Sequence, residues 1–235
     1  MLENAEPEDL FRWNALFQPR LSDDPVALRK FQKPAPAFVV RWPFFDKRRL
    51  VAGDQLVLEV LFLGTGIPLI HSFLRSLVHL GHLGMVAGAG CFNVTEVRSV
   101  DADLGLRTIW RQTDLIDDFA PDILSLDWWL GRYPPLYDTV TLEFVTPVRL
   151  LVDGKPLRRP SFTQLFPFML RRVTSMLYAH CGVEVVDHVP ELMATVANVE
   201  LVSKDLSWRD WRPLGVGSKR AVGGFVGKMT LAGPA

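Results

Sequence analysis

The stretch from Ser161 to Gly182 constrains the fold more than any other part of this chain. Ser161 and Gln164 have capping-box spacing, in which a Ser hydroxyl and a Gln side chain reciprocally satisfy backbone N–H groups at a helix start. Gly182 supplies the stop. Between them Phe166, Met169, Leu170, Val173 and Leu177 form one apolar face, and Arg171 and Arg172 project from its flank. Pro167 leaves two readings open: the helix begins near Gln164, or it kinks at the proline.

Strands and turns surround this helix. Residues 139–145 read as a strand that Thr146-Pro147 interrupts, and VRLLV then runs to a reversal at Asp153-Gly154. Pro190 opens a second, shorter helix to about Asn198. Residues 199–202 read as a strand, followed by SWRDW, a glycine-rich passage and a last strand over 225–231.

The first half repeats the mixture. Residues 1–36 hold five prolines and no clear period, so they read as an extended, turn-rich arm. AFVVRW is a short β-prone run, and residues 55–63 (QLVLEVLFL) read as a strand buried on both faces. Pro68 opens a helix to about Leu80, residues 81–90 (GHLGMVAGAG) form a glycine-rich turn, and residues 92–100 alternate as a strand. Residues 101–135, crowded with aspartates, read as a connector closing on Tyr133-Pro134-Pro135. The domains expected are therefore an arm (1–36), a first domain with its acidic connector (37–135) and a second domain (136–235).

Composition narrows the function class. The 26 basic and 26 acidic residues cancel. Their distribution does not: residues 1–140 hold 14 basic and 18 acidic side chains, residues 141–235 hold 12 and 8. The second half is thus the one suited to a polyanion. Cys91 and Cys181 form no CxxC motif, which fits a reducing cytoplasm. The acidic N-terminus does not read as a secretory signal, and the most apolar stretch is too short to span a bilayer, so a soluble cytoplasmic protein is expected.

Most small motifs point to ordinary structure. The glycine-rich run follows a helix and precedes a strand, the reverse of a P-loop. His79 and His82 have zinc-compatible spacing but no third ligand at recognisable spacing, so no metal and no cofactor is expected. His180 and Cys181 are adjacent on a helix and point about 100° apart, so they read as no nucleophile pair, and burial is expected for the cysteine. No GxSxG is present.

The basic groups of the second half carry more. Lys155, Arg158 and Arg159 flank the turn before the long helix, and Arg171 and Arg172 lie on it. Lys219, Arg220 and Lys228 bracket Gly223, Gly224 and Gly227. Such side chains contact phosphates, glycines let an RNA backbone approach closely, and Trp208 and Trp211 could stack on splayed bases. From charge alone, a solvated basic face with core tryptophans is the better-supported reading.

Four stretches in order resemble the Cas6-type endoribonucleases of the RAMP superfamily. They are FVVRWPFFDKRRLVAGDQLVLEVLFLGTGI; LVHLGHLGMVAGAGCFNVTEV, with Ala89 where members often have Arg; LEFVTPVRLLVDGKPLRRPSFTQLFPFMLRRVTSML; and LSWRDWRPLGVGSKRAVGGFVGKMTLAG. The resemblance spans roughly residues 38–233. It implies an α+β fold of tandem ferredoxin-like, RRM-related domains. It implies CRISPR repeat RNA or crRNA as partner, alongside other Cas proteins. It also implies metal-independent cleavage of the precursor, in which a ribose 2′-OH attacks the adjacent phosphate. The alternative is a non-catalytic RNA-binding subunit.

The departures set further expectations. The family's catalytic His sits on the first helix of the first domain, and no position here matches it, so no catalytic residue is assigned. The first domain lacks its opening strand and helix, and the second its closing helix and strand. Both domains are expected to be incomplete, with an uncovered apolar sheet face or an unpaired edge beside the last strand. An unrelated α/β protein is the reading to prefer if Arg158, Arg171 and Lys219 lie on different faces.

Overall fold

A computed structural model describes residues 7–20, 33–41, 50–85, 89–132, 138–184, 188–211 and 222–233. The first half begins with helix α1 (Pro7–Phe17) and strands β1 (Phe38–Arg41) and β2 (Glu59–Phe62). A 3-10 segment (Gly64–Leu69) leads into α2 (Ile70–Leu83), followed by β3 (Glu96–Val100), β4 (Leu106–Arg111) and α3 (Leu126–Arg132). The second half contains β5 (Thr139–Val148), the short hairpin β6 (Leu151–Val152) and β7 (Lys155–Pro156), α4 (Phe162–Cys181), α5 (Val189–Ala197), β8 (Glu200–Trp211) and β9 (Val222–Ala232).

The long helix is capped as its sequence requires. Gln164 N–H donates to Ser161 Oγ at 3.3 Å, and Ser161 N–H donates to Gln164 Oε1 at 3.0 Å. Gly182 ends the helix in the left-handed region at φ 68°. Pro167 lies inside the helix, so α4 starts upstream of it, at Phe162. The N-terminal part of α4 lays Leu165 against Leu206, Phe225, Met229 and Leu231, with Leu142, Phe144 and Trp208 packed around them. The sheet it covers is antiparallel, in the order β5-β9-β8. This is the 1-3-2 strand order of a β-α-β-β-α-β unit, with α5 inserted in the crossover. The last strand is therefore central, and the edges belong to β5 and β8 rather than to β9.

Three departures in this half share a cause. Thr146-Pro147 does not interrupt β5 but sits in a register shift between Phe144 and Val148, where a proline need not donate to the ladder. SWRDW is strand, because β8 pairs with β9 along its whole length from Glu200 to Trp211. Gly223 and Gly224 are strand as well, since small residues let β9 fit between its neighbours.

The first half differs more from expectation. Residues 7–17 are helical, not extended. Pro7 occupies the first helical position, which tolerates proline, and the next proline, Pro19, lies beyond the end. Tertiary packing holds the helix: Phe17 meets Phe38 at 5.5 Å, and Phe38 meets Phe73 at 5.0 Å. The 55–63 run forms only a four-residue strand with one half-buried face, and Leu61 is 54% exposed. Among the described residues β1 and β2 pair only with each other, and the opposed Val39 and Leu61 leave the second face exposed. The supposed connector contains β4 and α3. β4 pairs with β3, and buried Trp110 packs with Leu74 of α2 and Phe119.

The two halves meet at the C-terminal end of α4. His180 is buried: its Nε2 donates to the Ala35 carbonyl at 2.9 Å, and its Nδ1 accepts from the Thr65 hydroxyl at 2.9 Å. The burial expected for Cys181 falls instead on His180, and Cys181 is exposed. Among the described residues, no helix is long and apolar enough to cross a membrane.

Candidate nucleic-acid interface

The β6–β7 hairpin and the three residues after it bring basic side chains to one end of the sheet. Asp153, at φ 50°, and Gly154, at φ 75°, make the reversal, and Lys155 follows on β7. Arg158 and Arg159 are exposed just ahead of the α4 cap. The Arg158 guanidinium lies 5.3 Å from the centre of the Trp208 ring. Trp208 Nε1 donates to Asp210 Oδ1 at 2.8 Å. One face of that indole is thus occupied by a cation rather than open to a base.

Further side chains join the cluster. Arg149 donates to the Gly223 carbonyl at 3.3 Å, and Lys204 reaches the Pro160 carbonyl at 3.5 Å. Sequence reading missed Lys204 as a site residue. Its signal is the alternation along β8, which puts Lys204, Leu206 and Trp208 on the α4 side.

The three glycines have neighbours within the protein. A Cβ on Gly223 would lie 2.5 Å from Trp208 Nε1, and one on Gly224 would lie 2.7 Å from the Pro147 carbonyl carbon. Gly227 adopts φ 124°, and a Cβ there would lie 2.0 Å from the Asp205 carbonyl oxygen. Close approach of β5 and β8 already requires glycine at these positions.

The remaining basic residues are dispersed. Lys228 lies on the sheet face opposite α4, flanked in register by Glu143 and Asp205, and pairs with Glu143 at 3.4 Å. Among the described side chains that face offers Thr141, Thr230, Ser207 and Arg209 and no aromatic ring. Arg171 and Arg172 are exposed along α4, with Arg171 held over Phe168 at 4.9 Å and donating to the Pro167 carbonyl. Lys219, Arg220 and the side chain of Trp211 lie outside the described residues. Gly223, Trp208 and Pro160 thus tie Arg149, Arg158 and Lys204 to the strands and the segment before α4, with Arg159 next to Arg158 in the chain, whereas Lys228 lies on the opposite face.

A second polar site lies in the first half. Arg12 of α1 and Leu69, His71, Ser72 and Arg75 at the start of α2 line a hollow of about 180 Å³, with Asp117 opposite. His71 Nε2 donates to the Phe119 carbonyl at 3.0 Å, which leaves Nδ1 as the basic nitrogen of the neutral ring. Arg75 makes a bidentate pair with Asp117. The sequence of α1, PEDLFRWNALF, contains no His.

Comparison with known proteins follows this geometry. The family model AF_1859_N, an N-terminal domain, matches residues 9–121. No curated protein matches the chain in sequence. A solved Cas6 product complex, that of TTHB231, superposes with a TM-score of 0.50 and 18% identity, covering 89% of this chain and 73% of that one. A second Cas6 product complex, that of TTHA0078, gives a TM-score of 0.40 and 17% identity over 84% of this chain and 69% of that one. With its mixed helices and small sheets and the β5-β9-β8 order, the chain has a Cas6-like α+β fold.

Proposed function

We propose that this chain binds CRISPR repeat RNA as a Cas6-type protein, with a first domain over 37–135 and a second over 136–235. The phosphates run past the β6–β7 end of the second sheet. The observation that carries this reading is Arg149 and Arg158 held at one end of a Cas6-like sheet, with Lys155 and Arg159 close to Arg158 in the chain and Lys204 reaching Pro160 from mid-strand. Cations in this number at a strand-end surface suit a phosphate backbone, and Arg158 is pre-positioned by its stack on Trp208. Arg171 and Arg172, exposed along α4, are further candidates for phosphate contact, whereas Lys228, paired with Glu143 on the opposite face, is not part of this path.

The test is a salt titration of repeat-RNA binding by the wild type and by a Lys155→Ala/Arg158→Ala/Arg159→Ala variant. Each lost phosphate contact lowers the slope of log affinity against log salt by about 0.7–0.9. The triple variant is expected to bind more weakly, with a slope reduced by roughly 2–3. An unchanged slope overturns the placement.

Cleavage of the precursor is a second reading, favoured by the hollow at His71. Attack of a 2′-OH on the neighbouring phosphate needs a proton acceptor, a proton donor for the departing 5′-oxygen, and positive charge near the phosphorane. In this reading His71 Nδ1 takes the 2′-OH proton and the resulting imidazolium returns it to the departing 5′-oxygen, with Arg12 and the Asp117-paired Arg75 lining the same hollow. Incubation with repeat RNA and a chelator would yield a 2′,3′-cyclic phosphate and a 5′-OH, lost in His71→Ala. Binding without that product leaves a non-catalytic RNA-binding subunit.

A further inference from the structure

The first half holds a hollow of different chemistry from either basic site. It has a volume of about 240 Å³ and opens between the C-terminal half of α2 and the base of the β3–β4 hairpin. Its floor is apolar: Val94 and Ile116 close over Trp110, which is 3% exposed. Its rim carries Asn93, Gln112 and His82. None of the described residues lining it is Lys or Arg.

The floor is fixed before any ligand arrives. Trp110 Nε1 donates to the Asp114 carbonyl at 3.2 Å. The Asp114 carboxylate is committed to the turn, accepting from Arg111 N–H at 2.8 Å and from the Thr113 hydroxyl at 3.2 Å. Gln112 N–H donates to the Thr95 carbonyl at 3.0 Å, which brings Gln112 beside Asn93. The side-chain amides of Asn93 and Gln112 make no hydrogen bond among the described residues.

We infer that this hollow seats one extruded nucleobase of the bound RNA, an inference that rests on the RNA-binding reading above. Three properties select a base. The volume lies below the ~300–1,000 Å³ of drug- and cofactor-sized sites, so a single ring system fits and a dinucleotide does not. With no Lys or Arg among the described lining residues and Asp114 beside the hollow, phosphate is disfavoured as the recognised group. Two amides, each with a donor and an acceptor, match the edge of a base above an apolar floor that takes its ring. An aromatic side chain of a protein partner would fill the floor but leave both amides unused.

The test uses the full chain with selectively labelled side-chain amides. Their NMR shifts are followed on addition of the four ribonucleosides one at a time, and of repeat RNA. In parallel, affinity is measured for repeat RNAs carrying one abasic site at successive positions. The expected result is movement of the Asn93 and Gln112 amides with nucleoside and with RNA. One position should weaken binding about 5- to 150-fold when abasic, the range for loss of two ordinary hydrogen bonds. An Asn93→Ala/Gln112→Ala variant should lose that positional preference. Repeat RNA that binds without moving either amide, or a positional profile that the variant leaves intact, overturns the proposal. Amides that respond to a nucleoside in a chain that fails to bind RNA overturn the RNA reading and leave a nucleoside site. Amides that respond to no nucleoside and no RNA remove the site altogether.

Discussion

Gly64 joins the two halves, and adding one methyl group there should separate them. The residue has φ 41°, and a Cβ would lie 1.8 Å from the carbonyl oxygen of His180 and 2.6 Å from its carbonyl carbon. Both atoms are backbone, so no rotamer change relieves the contact. Nor can the end of α4 simply retreat, because the His180 ring is 5% exposed and bonded at both nitrogens, to Ala35 and Thr65. The left-handed conformation costs an alanine about 1–2 kcal/mol. Overpacking against fixed atoms adds roughly 1–3 kcal/mol. Gly64→Ala should therefore destabilise the chain by about 2–5 kcal/mol. The assay is urea unfolding followed by far-ultraviolet circular dichroism, with Gly131→Ala as the control. At Gly131 an added methyl meets nothing within 4 Å, in a short helix where alanine is the better helix former. That control should match the wild type or gain up to ~1 kcal/mol. A Gly64→Ala variant within about 1 kcal/mol of wild type would refute the argument that this contact fixes the two halves.

Three further outcomes follow from the same geometry. Ser161→Ala removes the capping-box acceptor of Gln164 N–H and should cost about 1 kcal/mol in unfolding free energy. Gly224→Ala drives a Cβ onto the Pro147–Val148 backbone and should cost roughly 1–3 kcal/mol, with hydrogen exchange rising along the β5–β9 ladder. The hydrogen bond from Arg107, at 2.9 Å, holds the Asp122 carboxyl below the ordinary carboxylate range. Its stabilisation is therefore complete above the unfolded value of about 3.9 and fades as pH falls through the folded value. The urea-midpoint difference between wild type and Asp122→Asn should be constant near neutrality and shrink in acid; a difference that grew in acid would contradict the pairing.

What was legible in the sequence was what is decided within a few residues. The Ser161–Gln164 box, the Gly182 stop and the Asp153-Gly154 reversal form as read, because each is a hydrogen bond or a φ angle set by neighbours in the chain. What was not legible depends on partners far away. α1 is a helix because Phe17 finds Phe38, and no periodicity over 7–17 announces that contact. β8 extends to Trp211 because β9 lies beside it, and β9 can lie there because Gly224 leaves room for Pro147.

The same division governs the candidate site. Charge counting found the basic half but assumed one surface, whereas strand alternation sends Lys228 to the face opposite α4, where Glu143 pairs with it. The residues that cluster do so across long separations: Arg149 with Gly223, Arg158 with Trp208, Lys204 with Pro160. Net charge therefore overstates the sheet face and understates the hairpin end. If RNA binds as proposed, its backbone is expected at the hairpin end, where Arg149 and Arg158 make no ion pair among the described residues. Trp208 holds Arg158 over its ring, a different role from the base stacking its sequence context suggests.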